Sequence, residues 1–134
     1  MGVTSFDRPR ARPAPRVLDG HWLNGESARL ELERVTLVVA VKPDCDGCRD
    51  FVASPLDALE GVDVVFVCAT ALEGDEWSQS RHPVIVAPAL LAVLEVRWPP
   101  FYVLIDPVAQ CVLTEGVVFG PRQVAAEIER FRRR

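Results

Sequence analysis

The sequence predicts an α/β domain: a sheet with helices on both faces, entered through an N-terminal β-hairpin. Three observations carry this expectation. Runs rich in β-branched residues, "VTLVVAV" (35–41), "VDVVFVCA" (62–69) and "FYVLID" (101–106), alternate with segments of helical spacing. The pair Asn24-Gly25 sits between two partly alternating segments, and Asn-Gly supplies the positive φ values of a tight hairpin turn. The chain closes on the amphipathic "PRQVAAEIERFRRR". At 134 residues, 49% of them apolar and 25% charged, it fits one globular domain with one core.

Taken in order, residues 1–16 hold three prolines and four arginines, which cannot bury enough surface to offset ordering. They are read as an extended, mobile tail, and 17–134 as the domain. Val17 to Leu32 forms the hairpin. Val35 to Val41 is a nearly unbroken β-branched run, the pattern of a central strand covered on both faces. In "CDGCRDFVASPLDALEG" the residues Phe51, Val52, Leu56 and Leu59 recur at helical spacing, with Asp44 or Asp46 near the start and Gly61 past the end. Pro55 should break or kink that helix, because it lacks an N–H and crowds the preceding turn. A second buried strand follows. Thr70 to Pro83 is polar and turn-rich, and a short apolar stretch leads to the helix-like "PALLAVLEV". After "RWPP" comes the strand "FYVLID", then "CVLTEGVVF" as its partner. The last helix has Pro121 at its start and a stripe of Val124, Ile128 and Phe131. Its terminal arginines complement the helix macrodipole rather than forming a nucleic-acid patch.

A net charge of −4 supplies no overall field toward nucleic acid or anionic lipid. No stretch approaches the roughly 18 apolar residues that span a bilayer, and no secretory apolar core opens the chain. Read as a complete chain it is expected in the cytoplasm, as a monomer. If the tail is the remnant of a linker to a removed anchor, the expected setting is extracytoplasmic and membrane-anchored.

The four cysteines are unevenly spaced at positions 45, 48, 68 and 111. Cys68 and Cys111 lie in apolar runs and read as small hydrophobic strand residues. Cys45 and Cys48 form a C-x-x-C between a strand and a helix. A cysteine at a helix N-terminus faces the positive end of the macrodipole and unpaired N–H groups, which lower its thiol pKa. A second cysteine one turn on is placed to attack a mixed disulfide. Cys45 is therefore the candidate nucleophile and Cys48 the candidate resolving thiol, and their disulfide needs no further cofactor. A structural zinc site would need a second close ligand pair, and the lone His21 and His82 do not provide one. No Gly-rich phosphate loop and no G-x-S-x-G motif occurs.

"VVAVKPDCDGC" followed, past another βα passage, by "VRWPPFYVLIDP" resembles the thioredoxin fold, in its TlpA-like or ResA-like branch of thiol-disulfide oxidoreductases. The resemblance covers Val17 to Phe131. It implies a thioredoxin-like three-layer α/β/α sandwich with a central mixed sheet. It also implies a protein-disulfide reductase or isomerase, a protein thiol or disulfide as substrate, and an upstream electron donor. Pro100 falls at the family's cis-proline place, where the loop faces the two sulfurs. Pro99, Pro100 and Trp98 would form the substrate-docking loop, with Trp98 also readable as a core residue. Asp44, Asp46 and Gly47 form the immediate surroundings of the dithiol.

Three departures from the family pattern stand out. Asp44 replaces an aromatic residue before the first cysteine, and with Asp46 it opposes a Cys45 thiolate, partly offset by Lys42 and Arg49. That favours a reducing or isomerising role. Val39 occupies the place of a buried acid, which leaves proton transfer to another group such as Glu73, Glu76 or Glu95. Pro99, before the cis-proline, has no N–H to offer a docked backbone, at a net loss of about 0.5–1.5 kcal/mol. These departures also suit a non-enzymatic thioredoxin-fold module that binds or senses redox state. Thioredoxin-fold copper chaperones use C-x-x-x-C, and the two-residue gap here speaks against that role. Trp22 and Trp77 carry no chemistry in either reading.

Overall fold

The computed structural model describes residues 12–53 and 61–132, apart from the side chains at 131 and 132. Pro55, Leu56 and Leu59, with the expected kink, lie outside the described residues, as do the first eleven of the chain and the side chain of Phe131.

The hairpin forms where Asn24-Gly25 predicts it, between β1 (Val17–Trp22) and β2 (Ser27–Glu31). Gly25 takes φ 92°, and the Asn24 side-chain oxygen accepts the Glu26 N–H at 2.9 Å. The runs of β-branched residues become β3 (Thr36–Val41), β4 (Asp63–Cys68) and β6 (Phe101–Asp106), and β7 (Cys111–Val117) pairs with β6. Among the described residues these join a short β5 (Val84–Val86) in one seven-stranded mixed sheet, ordered β2-β1-β5-β4-β3-β6-β7. β3 runs parallel to β4 and antiparallel to β6, and β4 runs parallel to β5. β3 is thus interior, and all six of its residues are buried.

Alternation along β3 divides the core into two layers. Leu37, Val39 and Val41 face α1 (Asp46–Ala53), α2 (Asp75–Ser78) and α4 (Pro121–Arg132), where they meet Phe51, Trp77, Val124 and Ile128. Val38 and Ala40 face α3 (Pro88–Val93) and meet Leu90 and Leu91. Helices on both faces of a mixed sheet, with an N-terminal hairpin, make the three-layer α/β/α sandwich that the sequence implied. The Tyr102 hydroxyl on β6 donates to Glu127 on α4 at 2.5 Å, which ties that helix to the sheet.

Two elements were not legible. β5 lies in the short apolar stretch that carried no assignment, and α2 lies inside the polar segment read as turns. α2 exists because Trp77 is buried edge-on against Phe66, with ring centroids 5.9 Å apart. Residues 12–16 also differ from the expected mobile tail. Pro13 bridges to Cys111, Ala14 is buried and its N–H bonds the Gln110 carbonyl at 2.9 Å. Arg12 donates to the Leu94 carbonyl at 2.8 Å and pairs with Glu115. These contacts stitch the start of the described chain to β7 and to the end of α3.

Candidate active site

Strand β3 ends at Val41, and the bend Lys42-Pro43-Asp44 turns the chain into α1 at Asp46. The bend needs a left-handed residue, and Asp44 supplies it at φ 56°; Asp tolerates that region better than most L-residues. Cys45 then occupies the position that caps α1. Its carbonyl accepts the Arg49 N–H at 3.1 Å, and its sulfur accepts the Cys48 N–H at 3.2 Å. The Cys45 sulfur thus sits among the unpaired N–H groups at the start of the helix, where negative charge is stabilised.

Cys45 and Cys48 are joined as a disulfide, with their Cα atoms 5.3 Å apart. Their environments differ: Cys45 retains 8% of its surface and Cys48 none. Cys48 packs with Phe51, Val39 and Val41 beneath the helix.

The Pro99-Pro100 bond is cis, and the Pro100 carbonyl accepts the Val118 N–H at 3.1 Å. Because Phe101 lies opposite Ala40, this loop sits at the same end of the sheet as the C-terminus of β3. A Cβ added at Gly47 would lie 3.9 Å from Pro100 Cγ, so the proline ring faces the C-x-x-C turn. The structure therefore joins Cys45, Gly47, Cys48 and Pro100, which the sequence placed in one site from distant positions. Trp98 is 76% exposed, which decides for surface over core.

Val39 is fully buried in the layer beneath α1, so an apolar side chain occupies the position expected for an acid. The proposed proton carriers scatter. Glu73 lines a recess of about 220 Å³ together with Lys42, Asp44, Arg49 and Trp77. Glu76 lies 3.4 Å from Arg49, which also reaches Asp46 at 3.8 Å. Glu95 pairs with Arg12 at 3.7 Å instead.

The remaining cysteines are free. Cys68 lies opposite Val41 in the β3–β4 register, fully buried, and burial pushes its thiol up to about 11. Burial also raises the Cys111 thiol, with Asp106 adding to the shift. His82 tilts against Phe66, and burial lowers its pKa, with Arg81 acting in the same direction. Among the described residues no group of three or more His, Cys, Asp or Glu is gathered as a metal site, and no helix is long and apolar enough to cross a membrane. One exposed residue near the cis-proline loop escaped the sequence reading. Phe119 is 85% exposed and follows directly on Val118; no local pattern marks a loop residue of this kind.

No protein-family model and no curated protein matches the chain. Solved structures do. The thioredoxin domain of a thiol-disulfide oxidoreductase from Bacteroides vulgatus superposes with a TM-score of 0.68 at 17% identity, covering 93% of this chain and 99% of that one. A thiol:disulfide interchange protein from Bacteroides sp. gives 0.65 at 16% identity over 98% and 93% of the two chains. DsbF from MTB, solved in mixed oxidised and reduced forms, gives 0.64 at 14% identity over 90% and 98%. The chain has the thioredoxin fold, and the first two of these neighbours in structure are a thiol-disulfide oxidoreductase and a thiol:disulfide interchange protein.

Proposed function

We propose that this chain exchanges disulfides with protein thiols, with Cys45 as the attacking sulfur and Cys48 as the resolving one, in the reducing or isomerising direction. The observation that carries the reading is the asymmetry of the pair at one helix end: Cys45, which keeps 8% of its surface, is bonded to a fully buried Cys48, and the Pro100 ring faces the turn between them at Gly47.

In the reduced protein the Cys45 thiolate attacks one sulfur of a substrate disulfide. A Cys45–substrate disulfide forms, and the other substrate sulfur leaves as a thiolate and takes up a proton. Cys48 loses its proton and attacks the Cys45 sulfur, which closes the Cys45–Cys48 disulfide and releases the second substrate thiol. The substrate gains two electrons and the protein dithiol gives up two. A dithiol donor must then re-reduce the pair, and no further cofactor enters. Burial of Cys48 keeps the second step intramolecular, since an outside disulfide meets Cys45 first.

Asp44 and Asp46 support the direction. Carboxylates next to Cys45 disfavour its thiolate, and a dithiol whose reduced form gains less from an ionised sulfur is a weaker oxidant. Trp98, Pro99 and Pro100 are the docking loop in this reading. Neither proline has an N–H, so a docked backbone forms fewer bonds there than an ordinary loop would offer.

A second reading, a redox-sensing module, is favoured by Val39, because an apolar residue beneath Cys48 gives its proton no buried acceptor. Dithiol-dependent insulin reduction tests both readings. Catalytic reduction that is abolished in Cys45→Ser, with a substrate mixed disulfide trapped by Cys48→Ser, is the expected result. A reversible disulfide without turnover would leave the sensor. Full activity of Cys45→Ser would overturn both.

A further inference from the structure

We infer that the redox site receives a partner segment whose reactive cysteine is flanked by a large apolar side chain on one side and by lysine or arginine on the other. The inference rests on the thiol-disulfide reading above and adds the chemistry of the substrate to it.

Two unlike surfaces flank the end of β3. β6 and β7 lie on one side of it and β4 on the other. β6 starts at this end and β7 finishes at it, because each pairs antiparallel with its neighbour. Trp98 precedes β6 and is 76% exposed; Val117 ends β7 at 47%, and Phe119 follows at 85%. The bond from the Val118 N–H to the Pro100 carbonyl holds both stretches together at the cis-proline loop. Exposed large apolar residues scattered singly are ordinary, whereas two aromatics and a valine on hydrogen-bonded chain beside a reactive disulfide mark a contact surface.

The β4 side is acidic. Glu73, Asp75 and Glu76 lie beyond the end of β4, and Asp44 and Asp46 belong to the dithiol turn itself. Lys42 and Arg49 answer these five carboxylates, and Arg49 divides itself between Asp46 and Glu76. Asp46 remains 98% exposed despite that contact. Arg97 adjoins Trp98, and Arg122 follows three residues after Phe119, so cations border the aromatic side.

The docking loop itself argues for recognition through side chains. Pro99 and Pro100 donate no hydrogen bond, and the Pro100 carbonyl is already bonded to Val118. A segment adding as an extra strand would find little backbone to pair with. An apolar side chain against Trp98 and Phe119, with a cation over Asp46 and the α2 carboxylates, uses what the surface offers.

The test is single-turnover reduction by the reduced full chain of eight peptides, each with one cysteine capped by mercaptoethanol. Leucine or serine flanks the cysteine on one side and lysine or glutamate on the other, in both orders. Mercaptoethanol disulfide serves as the small reference. The leucine–lysine peptide is expected to react about tenfold faster than serine–glutamate, with the lysine advantage shrinking as salt rises. Relative to the reference, Phe119→Ser should erode the leucine preference and Asp46→Lys the lysine preference. Equal peptide rates, or a response to only one of the two features, with the reference still reduced, would overturn the docking surface and leave the exchange reading standing. Failure to reduce even the reference would overturn the exchange reading and the inference with it.

Discussion

At the scale of single residues, the C-x-x-C was legible because its chemistry is local: a strand end, a bend and a helix start dictate where two sulfurs three positions apart must lie. The bend residue was legible by identity only. Asp44 is an acid next to the nucleophile, but its left-handed φ of 56° comes from the path of the chain. The two properties separate by substitution. Asp44→Asn keeps the tolerance for that conformation and removes the charge; Asp44→Ala removes both, at a strain cost of about 1 kcal/mol. In the reduced protein both variants should make the Cys45 thiolate easier to form, because a like charge is gone. Only the alanine variant should lose stability. Ultraviolet titration of the thiolate and urea unfolding read the two effects, and an unmoved titration in Asp44→Asn would show that the carboxylate does not oppose Cys45. Trp98 was undecided for the opposite reason, since its 76% exposure is set by how distant parts of the chain pack and by no local pattern.

At the scale of elements, the sequence resolved those long enough to show a pattern: the nearly unbroken apolar runs of β3, β4 and β6 and the helical period of α4. β5 with three residues and α2 with four show none, and each is held by partners far along the chain. α4 shows how much a start signal leaves out. Pro121 marked the start, yet the contacts there belong to Gln123. Its side-chain oxygen accepts the N–H groups of Phe119 at 2.7 Å and Gly120 at 3.3 Å, while its amide donates to the Val117 carbonyl at 3.0 Å and to Glu127 at 2.8 Å. One side chain thus caps the helix, fixes the end of β7 and reaches the carboxylate that holds Tyr102. Gln123→Ala should cost about 1–2 kcal/mol in urea unfolding and speed hydrogen exchange at the Phe119 and Gly120 amides. Unchanged exchange there would mean that the β7–α4 turn holds without it.

At the scale of the whole molecule, an Arg/Pro-rich composition concealed that residues 12–16 pack across the fold, because composition cannot show that Arg12 finds Glu115 and the Leu94 carbonyl. The pH dependence of stability also belongs to this scale, since it sums groups buried in separate places. In the disulfide form Cys45 and Cys48 do not titrate, which leaves Cys68, Cys111, Tyr102 and His82 as the groups shifted by burial, while Arg34 is raised by its exposed pairing with Asp63. Burial raises Cys68 from 9.0 to about 11, so the folded chain keeps a proton that the unfolded chain gives up. Its contribution is complete below pH 9 and is lost as pH climbs to about 11, a fall on the order of 2–3 kcal/mol. Tyr102, raised by burial and by its bond to Glu127, extends the fall to still higher pH. His82 works in the other direction: its lowered value means that the unfolded chain takes up the proton first, so stability declines as pH drops below 6.5. The oxidised protein should therefore be most stable between about pH 7 and 9 in urea unfolding measured across the range. Cys68→Val should flatten the curve between about pH 9 and 11, whatever its starting stability, because valine has no proton to lose. An alkaline limb equally steep in that variant would assign the loss to Tyr102 and Cys111 instead.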